Sequence, residues 1–223
     1  METETKLNVY LFQPQYAVEI RNENTYWLPY SAGCLWTYAN TVPEVQERYR
    51  LVELGFKRED PKDILERMQT NPPDVCGFSC YVWNEKYCVE LAHAVKSVYP
   101  KCKIVFGGAQ ANARFLDYDF INSVILAEGE ESFVDFLTSI QPARLYEKRR
   151  LSNLEIPSPY TSGLFDKLLE DNPNALWSMT FETNRGCPYA CTFCDWGGAT
   201  YSKVRRFDLE RVTEDLEWAI GKP

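Results

Sequence analysis

Along the first 140 residues, short apolar runs alternate with segments whose apolar positions recur at helical spacing. Leu7-Asn8-Val9-Tyr10-Leu11-Phe12 predicts a strand bounded by Gln13-Pro14, and a helix follows over residues 31–40. Tyr49 to Leu54 predicts a second strand, stopped by Gly55. Asp60 then stands as an N-cap with Pro61 at the first helical position, and Ile64, Leu65 and Met68 form the apolar stripe. Val75-Cys76-Gly77-Phe78-Ser79 is short and apolar enough for a strand buried on both faces. A helix over 85–98 follows, with Tyr87, Cys88, Leu91, Ala92, Val95 and Val98 on one side. Lys103 to Phe106 predicts a fourth strand ending at Gly107-Gly108, and Val124-Ile125-Leu126 a fifth. The series closes with a helix over 130–140 that carries Phe133, Phe136, Leu137 and Ile140. Strands alternating with helices predict an α/β, Rossmann-like fold: a doubly wound parallel sheet with flavodoxin-like strand order, covered on both faces.

From residue 141 to about 175 the pattern breaks. Pro142, Pro157, Pro159, Gly163 and Pro173 interrupt it, and Glu147-Lys148-Arg149-Arg150 is expected to be a solvated charge run in a linker. A short helix is expected near residues 164–169. A second unit spans 176–223. Met179-Thr180-Phe181-Glu182-Thr183 predicts a strand leading into a cysteine-rich loop. A helix over 208–220 closes the unit, with Leu209, Val212, Leu216 and Ile220 as its expected buried stripe and Gly221 and Pro223 as a cap and stop.

Composition narrows the class. The chain has 223 residues, 45% hydrophobic and 25% charged, which is ordinary for a globular protein and excludes collagenous or disordered classes. Its net charge of −8 lacks the basic footprint of a general nucleic-acid binder. No apolar run reaches the ~18–20 residues of a membrane span. The polar start, Met-Glu-Thr-Glu-Thr-Lys, does not read as a signal peptide, so a cytoplasmic protein is expected.

In that compartment eight cysteines do not read as a disulfide framework. Cys34, Cys76, Cys80, Cys88 and Cys102 are scattered, most in apolar contexts where a thiol behaves as a small hydrophobe. Cys187, Cys191 and Cys194 fall within eight residues, at C-x3-C-x2-C spacing. Three thiolates so spaced can converge on adjacent corners of a cubane. Because a [4Fe–4S] cluster normally takes four cysteines, one iron is left open to bind a small molecule. A structural zinc site needs four closed ligands, and no second cysteine pair exists. The sole histidine, His93, lies in a helix where a packed or partly solvated role is expected. The ligand logic favours iron–sulfur over a zinc-stabilised scaffold.

Glu182-Thr183-Asn184-Arg185-Gly186-Cys187-Pro188-Tyr189-Ala190-Cys191-Thr192-Phe193-Cys194-Asp195-Trp196-Gly197 resembles the cluster loop of radical S-adenosylmethionine (radical SAM) enzymes, including the aromatic Phe193 before the third cysteine. The resemblance implies that Cys187, Cys191 and Cys194 hold a [4Fe–4S] cluster and that Phe193 belongs to the cofactor site. S-adenosylmethionine would chelate the open iron through its amino and carboxylate groups. An electron from a donor such as flavodoxin or ferredoxin would cleave it to a 5′-deoxyadenosyl radical. Lys203, Arg205 and Arg206 follow the loop. They read as an exposed basic turn or, alternatively, as contacts to the SAM carboxylate or a substrate anion.

In a doubly wound sheet, ligands sit beyond the carboxyl ends of the strands. There the segments Pro73 to Ser79, Ile104 to Gly108 and Ala127-Glu128-Gly129-Glu130-Glu131, with Ile156-Pro157-Ser158-Pro159-Tyr160 after them, resemble the cobalamin-binding domain and linker of one branch of radical SAM enzymes. The resemblance places Ser79, Gly107 and Gly108 along the nucleotide tail of cobalamin. Many B12 domains carry D-x-H-x-x-G after the first strand. Here that loop is Gln13-Pro14-Gln15-Tyr16, so cobalt would take no histidine from this chain. A Rossmann-like domain without B12 remains the alternative.

The chain thus divides into a cobalamin-binding domain at 1–140, a linker at 141–175 and the start of a radical SAM core at 176–223. After Cys187 only 223 − 187 = 36 residues remain, whereas a full β/α barrel takes about 200 or more. The expected C-terminal part is therefore the first β-α unit of an incomplete radical SAM barrel. The activities implied are methyl transfer or a radical rearrangement on a small molecule, with a separate chain as one source of the remaining barrel. A non-catalytic cofactor-binding module or a truncated fragment is the alternative reading.

Overall fold

The computed structural model describes residues 5–16, 18–20, 23–189, 191–193, 203–220 and 222. Its strands are β1 (Leu7–Gln15), β2 (Val18–Ile20), β3 (Glu23–Trp27), β4 (Tyr49–Lys57), β5 (Val75–Ser79) and β6 (Lys103–Gly107), then β7 (Ser123–Ala127), β8 (Leu145–Arg149), β9 (Leu176–Ser178), β10 (Asn184–Arg185) and β11 (Arg205–Arg206). The helices are α1 (Tyr30–Ala39), α2 (Pro43–Arg48), α3 (Pro61–Met68), α4 (Glu85–Val98), α5 (Glu130–Thr138), α6 (Asp166–Asp171) and α7 (Leu209–Ile220).

Period-two alternation builds the main sheet. Its six strands run in the order β4-β1-β5-β6-β7-β8, all parallel. That is the flavodoxin-like order, extended by one edge strand, with its switch point between β1 and β5. Alternate side chains sort cleanly onto the two faces. Val9, Leu11, Val75, Val105 and Ile125 pack under α1 and α5 with Ala32, Cys34, Trp36, Phe133, Phe136 and Leu137. Tyr10, Phe12, Cys76, Phe78, Ile104, Phe106 and Val124 pack under α3 and α4 with Ile64, Met68, Cys88, Leu91, Ala92 and Val95. On this second face an aromatic row crosses the sheet: Phe12 to Phe78 at 5.2 Å, Phe78 to Phe106 at 5.1 Å, and Phe106 to Phe115 at 5.1 Å. The α3 start is as the sequence indicates, with the Lys62 N–H donating to the Asp60 carboxylate at 2.9 Å and Pro61 opening the helix.

Several expectations are corrected. Gly55 does not end its strand. β4 continues through it to Lys57, and the glycine makes room there for the Phe12 ring of the neighbouring strand, which a Cβ would overlap. Helix α5 stops at Thr138, leaving Ile140 97% exposed, and Val98 at the end of α4 also faces out. The charge run is not linker: Glu147 to Arg149 lie in β8, the sixth strand of the sheet, whose Tyr146 is buried. Glu147, Arg149 and Arg150 are exposed, as expected of a charge run, while Leu151, Leu154, Ile156, Tyr160 and Phe165 after it join the α1/α5 core.

In the C-terminal unit the strand lies at β9, upstream of the expected 179–183. It pairs in parallel with β3, matching Thr25 to Leu176 and Trp27 to Ser178, where Tyr26, Phe56 and Trp177 form an aromatic cluster. Helix α7 forms as predicted but turns a different face inward. Val212 and Asp215 are buried, whereas Leu209, Leu216 and Ile220 are exposed. The buried face is held by polar contacts. Ser158 donates to Asp215, Arg211 lies 3.3 Å from Asp215, and the Arg211 Nε donates to the Ile156 carbonyl at 3.1 Å.

Candidate functional site

The carboxyl edge of the sheet is assembled from the turns after β1, β5, β6 and β7. Gly108 closes the turn after β6 at φ +92°, a left-handed conformation natural to glycine. A Cβ at this position would stand 2.7 Å from both the nitrogen and the carbonyl oxygen of Cys80, and 3.1 Å from the Ser79 hydroxyl. Ser79 and Gly108 therefore meet at one point. The Cys80 N–H donates to the Gly107 carbonyl at 2.7 Å and the Gln110 N–H to the Cys80 carbonyl at 3.0 Å, so the two turns are stitched together.

Gly107 is different. A Cβ on it would find Ile125 O at 3.8 Å and Ile125 Cβ at 4.0 Å, so nothing in the protein demands a glycine there. Its missing side chain leaves a half-open shelf over the edge. That shelf, with a hydroxyl beside it, suits the close approach of a ligand tail and fits cobalamin.

Asn84, to which the sequence assigns no separate role, is fully buried and organises this edge. Its Nδ2 donates to the carbonyls of Pro14 and Ser79 at 3.0 and 3.1 Å, and its Oδ1 accepts from the Tyr81 N–H at 2.8 Å. One side chain thus ties the end of β1 to the end of β5 across the switch point. The available signal was an asparagine one residue ahead of a helix. Nearby, the Ala32 N–H donates to the Gln13 side chain at 3.1 Å, and the Ser31 and Tyr81 hydroxyls share a hydrogen bond of 2.8 Å. Trp83 is half exposed and stacks on Tyr81 at 4.6 Å. His93 lies away from this edge, exposed on α4 with its ring 5.1 Å from Phe120.

At the β7 end the backbone is strained. Ala127 takes φ +64°, a conformation that costs a non-glycine residue about 1–2 kcal/mol. It opens the turn that carries Glu128 and Glu130. Glu130 is buried and pairs with Arg185 at 2.8 Å. Glu128 pairs with Arg205, lies 3.9 Å from Arg185, and accepts from the Leu151 N–H at 2.8 Å. Glu182 completes the set with Arg185 at 2.9 Å. Burial opposes the Glu128 charge, but the Arg205 hydrogen bond, the Leu151 N–H and Arg185 outweigh it and hold its carboxyl below the usual range. Arg185 and Arg205 face each other in the β10–β11 ladder, which is the stem of the cysteine loop. The basic trio therefore splits: Arg205 turns inward to Glu128, while Lys203 and Arg206 are exposed.

Gly186, at φ +99°, turns the chain from β10 into the cysteines. Cys187 is half-buried and Cys191 is exposed, and Phe193 is 89% exposed. Cys194 lies outside the described residues. Thiolates are the soft donors of iron–sulfur sites, and Cys187 and Cys191 both lie on the loop that β10 and β11 close. The five remaining cysteines are buried, and burial pushes the Cys34 thiol up to about 12. They are packing groups, as expected.

A doubly wound parallel sheet with a cysteine loop ion-paired to its carboxyl edge defines a Rossmann-like α/β protein. Residues 43–137 match the family described as B12 binding domain. Its homologues are cobalamin-dependent radical SAM methyltransferases. It is 34% identical to 2-(S-pantetheinyl)-carbapenam-3-carboxylate methyltransferase of Streptantibioticus cattleyicolor and 32% identical to the cobalamin-dependent radical SAM methyltransferase TokK of Streptomyces tokunonensis. Each match covers 86% of this chain and 32% of the relative. The fold is shared with the cobalamin-dependent S-adenosylmethionine radical enzyme OxsB, at a TM-score of 0.66 and 17% identity over 98% of this chain and 32% of that one. The chain spans about a third of the length of the relatives it matches.

Proposed function

We propose that this chain supplies the cobalamin site and the cluster loop of a B12-dependent radical SAM methyltransferase acting on a small molecule. One observation carries the reading. The stem of the cysteine loop is ion-paired, through Arg185 and Arg205, to Glu128 and Glu130 at the sheet edge where Ser79, Gly107 and Gly108 form the shelf. In this reading the pairing sets the two cofactor sites against each other. The methyltransferase relatives support methyl transfer over rearrangement.

In this reading Ser79, Gly107 and Gly108 hold the cobalamin tail, and Asn84 fixes the turns on which they sit. Cys187, Cys191 and Cys194 hold a [4Fe–4S] cluster, with Phe193 beside it. When bound, cluster and S-adenosylmethionine supply radical chemistry and cobalamin supplies a transferable methyl group. The protein's own contribution is positional: it keeps both sites on one edge and offers cobalt no histidine, since His93 lies on α4. An electron donor of the flavodoxin or ferredoxin kind is the expected partner, and the rest of the barrel comes from further chain or a separate one.

The test is anaerobic reconstitution followed by iron and sulfide analysis and cobalamin titration. Iron and sulfide should appear in the wild type and in Cys88→Ala, with the broad visible absorption of a thiolate-bound cluster, and vanish in Cys191→Ala. Equal iron in both variants would remove the cluster assignment, and one zinc without sulfide would favour the scaffold reading.

A further inference from the structure

The charge network at the base of the cysteine loop does more than close a turn. Glu128 and Glu130 flank Gly129, directly after the strained Ala127 at the carboxyl end of β7. Arg185 stands two residues before Cys187. Its guanidinium reaches Glu130 at 2.8 Å from one nitrogen and Glu182 at 2.9 Å from another, a forked arrangement that lysine cannot reproduce. All five side chains are largely withdrawn from solvent: Glu130 keeps 6% of its side-chain exposure, Arg185 and Arg205 14%, Glu128 17% and Glu182 25%. Ion pairs this buried are geometrically fixed and weakly screened.

We infer that Glu130 and Arg185, with Glu128 and Arg205 beside them, are positioning residues that couple occupancy of the sheet edge to order in the cysteine loop. The inference rests on the cobalamin and cluster reading above. Three features carry it. The network joins the β7–α5 turn to the β10–β11 stem through charged side chains on both sides. The turn that presents the carboxylates is held in an unfavourable backbone conformation, as at sites whose geometry serves a ligand. The shelf also adjoins that turn, because a Cβ on Gly107 would lie 3.8 Å from the carbonyl oxygen of Ile125, two residues ahead of Ala127. Whatever settles on the shelf therefore presses on residues continuous with the carboxylates, and those hold the loop two residues ahead of its first cysteine.

Coupling is reciprocal, so each cofactor should tighten the other. The experiment measures cobalamin affinity in cluster-free and cluster-loaded protein and takes the ratio, for the wild type, Glu130→Gln and Arg185→Lys. A second measurement follows hydrogen exchange of the amides at 184–186 and 205–207 in cluster-free protein, with and without hydroxocobalamin. The wild type should bind cobalamin about tenfold tighter when the cluster is present, within the usual range for coupled sites. Cobalamin alone should slow stem exchange. In both variants each cofactor should still bind, but the ratio should fall toward one and the exchange response should vanish. A wild-type ratio of one with both cofactors bound would overturn the inference, as would an undiminished ratio and exchange response in the variants. Absence of cobalamin or cluster binding in the wild type would overturn the cofactor reading itself and the coupling with it. The single-cofactor arms show which has failed.

Discussion

Gly107 and Gly108 are adjacent, yet an alanine at each should do opposite things. At Gly108 the methyl meets two backbone atoms at 2.7 Å, neither of which belongs to a flexible side chain. It must also adopt φ +92°. The left-handed backbone alone costs an alanine about 1–2 kcal/mol, and the clash with Cys80 raises the total to about 3 kcal/mol or more. For a chain of this size that corresponds to a melting temperature lower by about 6–12 °C. At Gly107 the methyl meets nothing closer than 3.8 Å, and the backbone is ordinary strand. Stability should stay within about 1 kcal/mol and can rise slightly, because alanine reduces the entropy of the unfolded chain. The same methyl occupies the shelf proposed for the cobalamin tail, so hydroxocobalamin affinity should fall at least tenfold, which is about 1.4 kcal/mol. Thermal melts and absorbance titrations of both variants decide the matter. A Gly107→Ala protein that binds cobalamin like the wild type would refute the shelf assignment. A Gly108→Ala protein that melts with the wild type would refute the steric argument.

Asn84→Ala removes three buried hydrogen bonds and leaves the Pro14 carbonyl and the Tyr81 N–H without that partner, so a loss of about 2–4 kcal/mol is expected in chemical denaturation, with weaker cobalamin binding than the loss of fold explains. The carboxyl of Glu128 is held below its ordinary value of 4.5, so its pairing contributes stability that is fully present above about pH 4.5 and lost as pH falls through the lower folded-state value. Stability difference curves of wild type against Glu128→Gln should be flat between about pH 5.5 and 8 and converge in acid. Convergence on raising the pH instead would mean that the charge is not what Arg205 and Arg185 recognise.

The sheet was legible because its rule is local. Alternation within Val9-Tyr10-Leu11-Phe12 and Ile104-Val105-Phe106 sends neighbours to opposite cores, and Asp60-Pro61 marks a helix start with no help from the rest of the chain. What failed depended on distant partners. Gly55 reads as a stop until the Phe12 ring across the sheet is known. Glu147 to Arg149 read as solvent-loving, yet the register against β7 makes them an edge strand, where charge is tolerated and protects the edge. The cysteine spacing and the turns that carry Ser79 and Gly108 were visible, since each lies in a single turn or at the end of one strand. Asn84 and the pairing of Arg185 with Glu130 were not, because their partners lie 70 and 55 residues away.

Helix α7 and the cysteine-loop stem are fixed by charge as well as by the apolar packing of Phe207, Val212 and Trp218. The outward face of α7 carries Leu209, Leu216 and Ile220, while its inward face offers Val212, Arg211 and Asp215. An apolar contact tolerates sliding, because burial is rewarded wherever apolar surface meets apolar surface. A guanidinium forked between carboxylates does not, and neither does Asp215 held by Ser158 and Arg211. Buried ion pairs contribute little net stability once desolvation is counted, but breaking one by removing a partner costs about 3–5 kcal/mol. These charged contacts therefore fix one register at small net gain, which suits a loop proposed to carry its cysteines to a fixed place beside a second cofactor. Replacing Glu130 and Arg185 together by apolar residues should accordingly cost far less stability than either single change, while the register of the loop is lost.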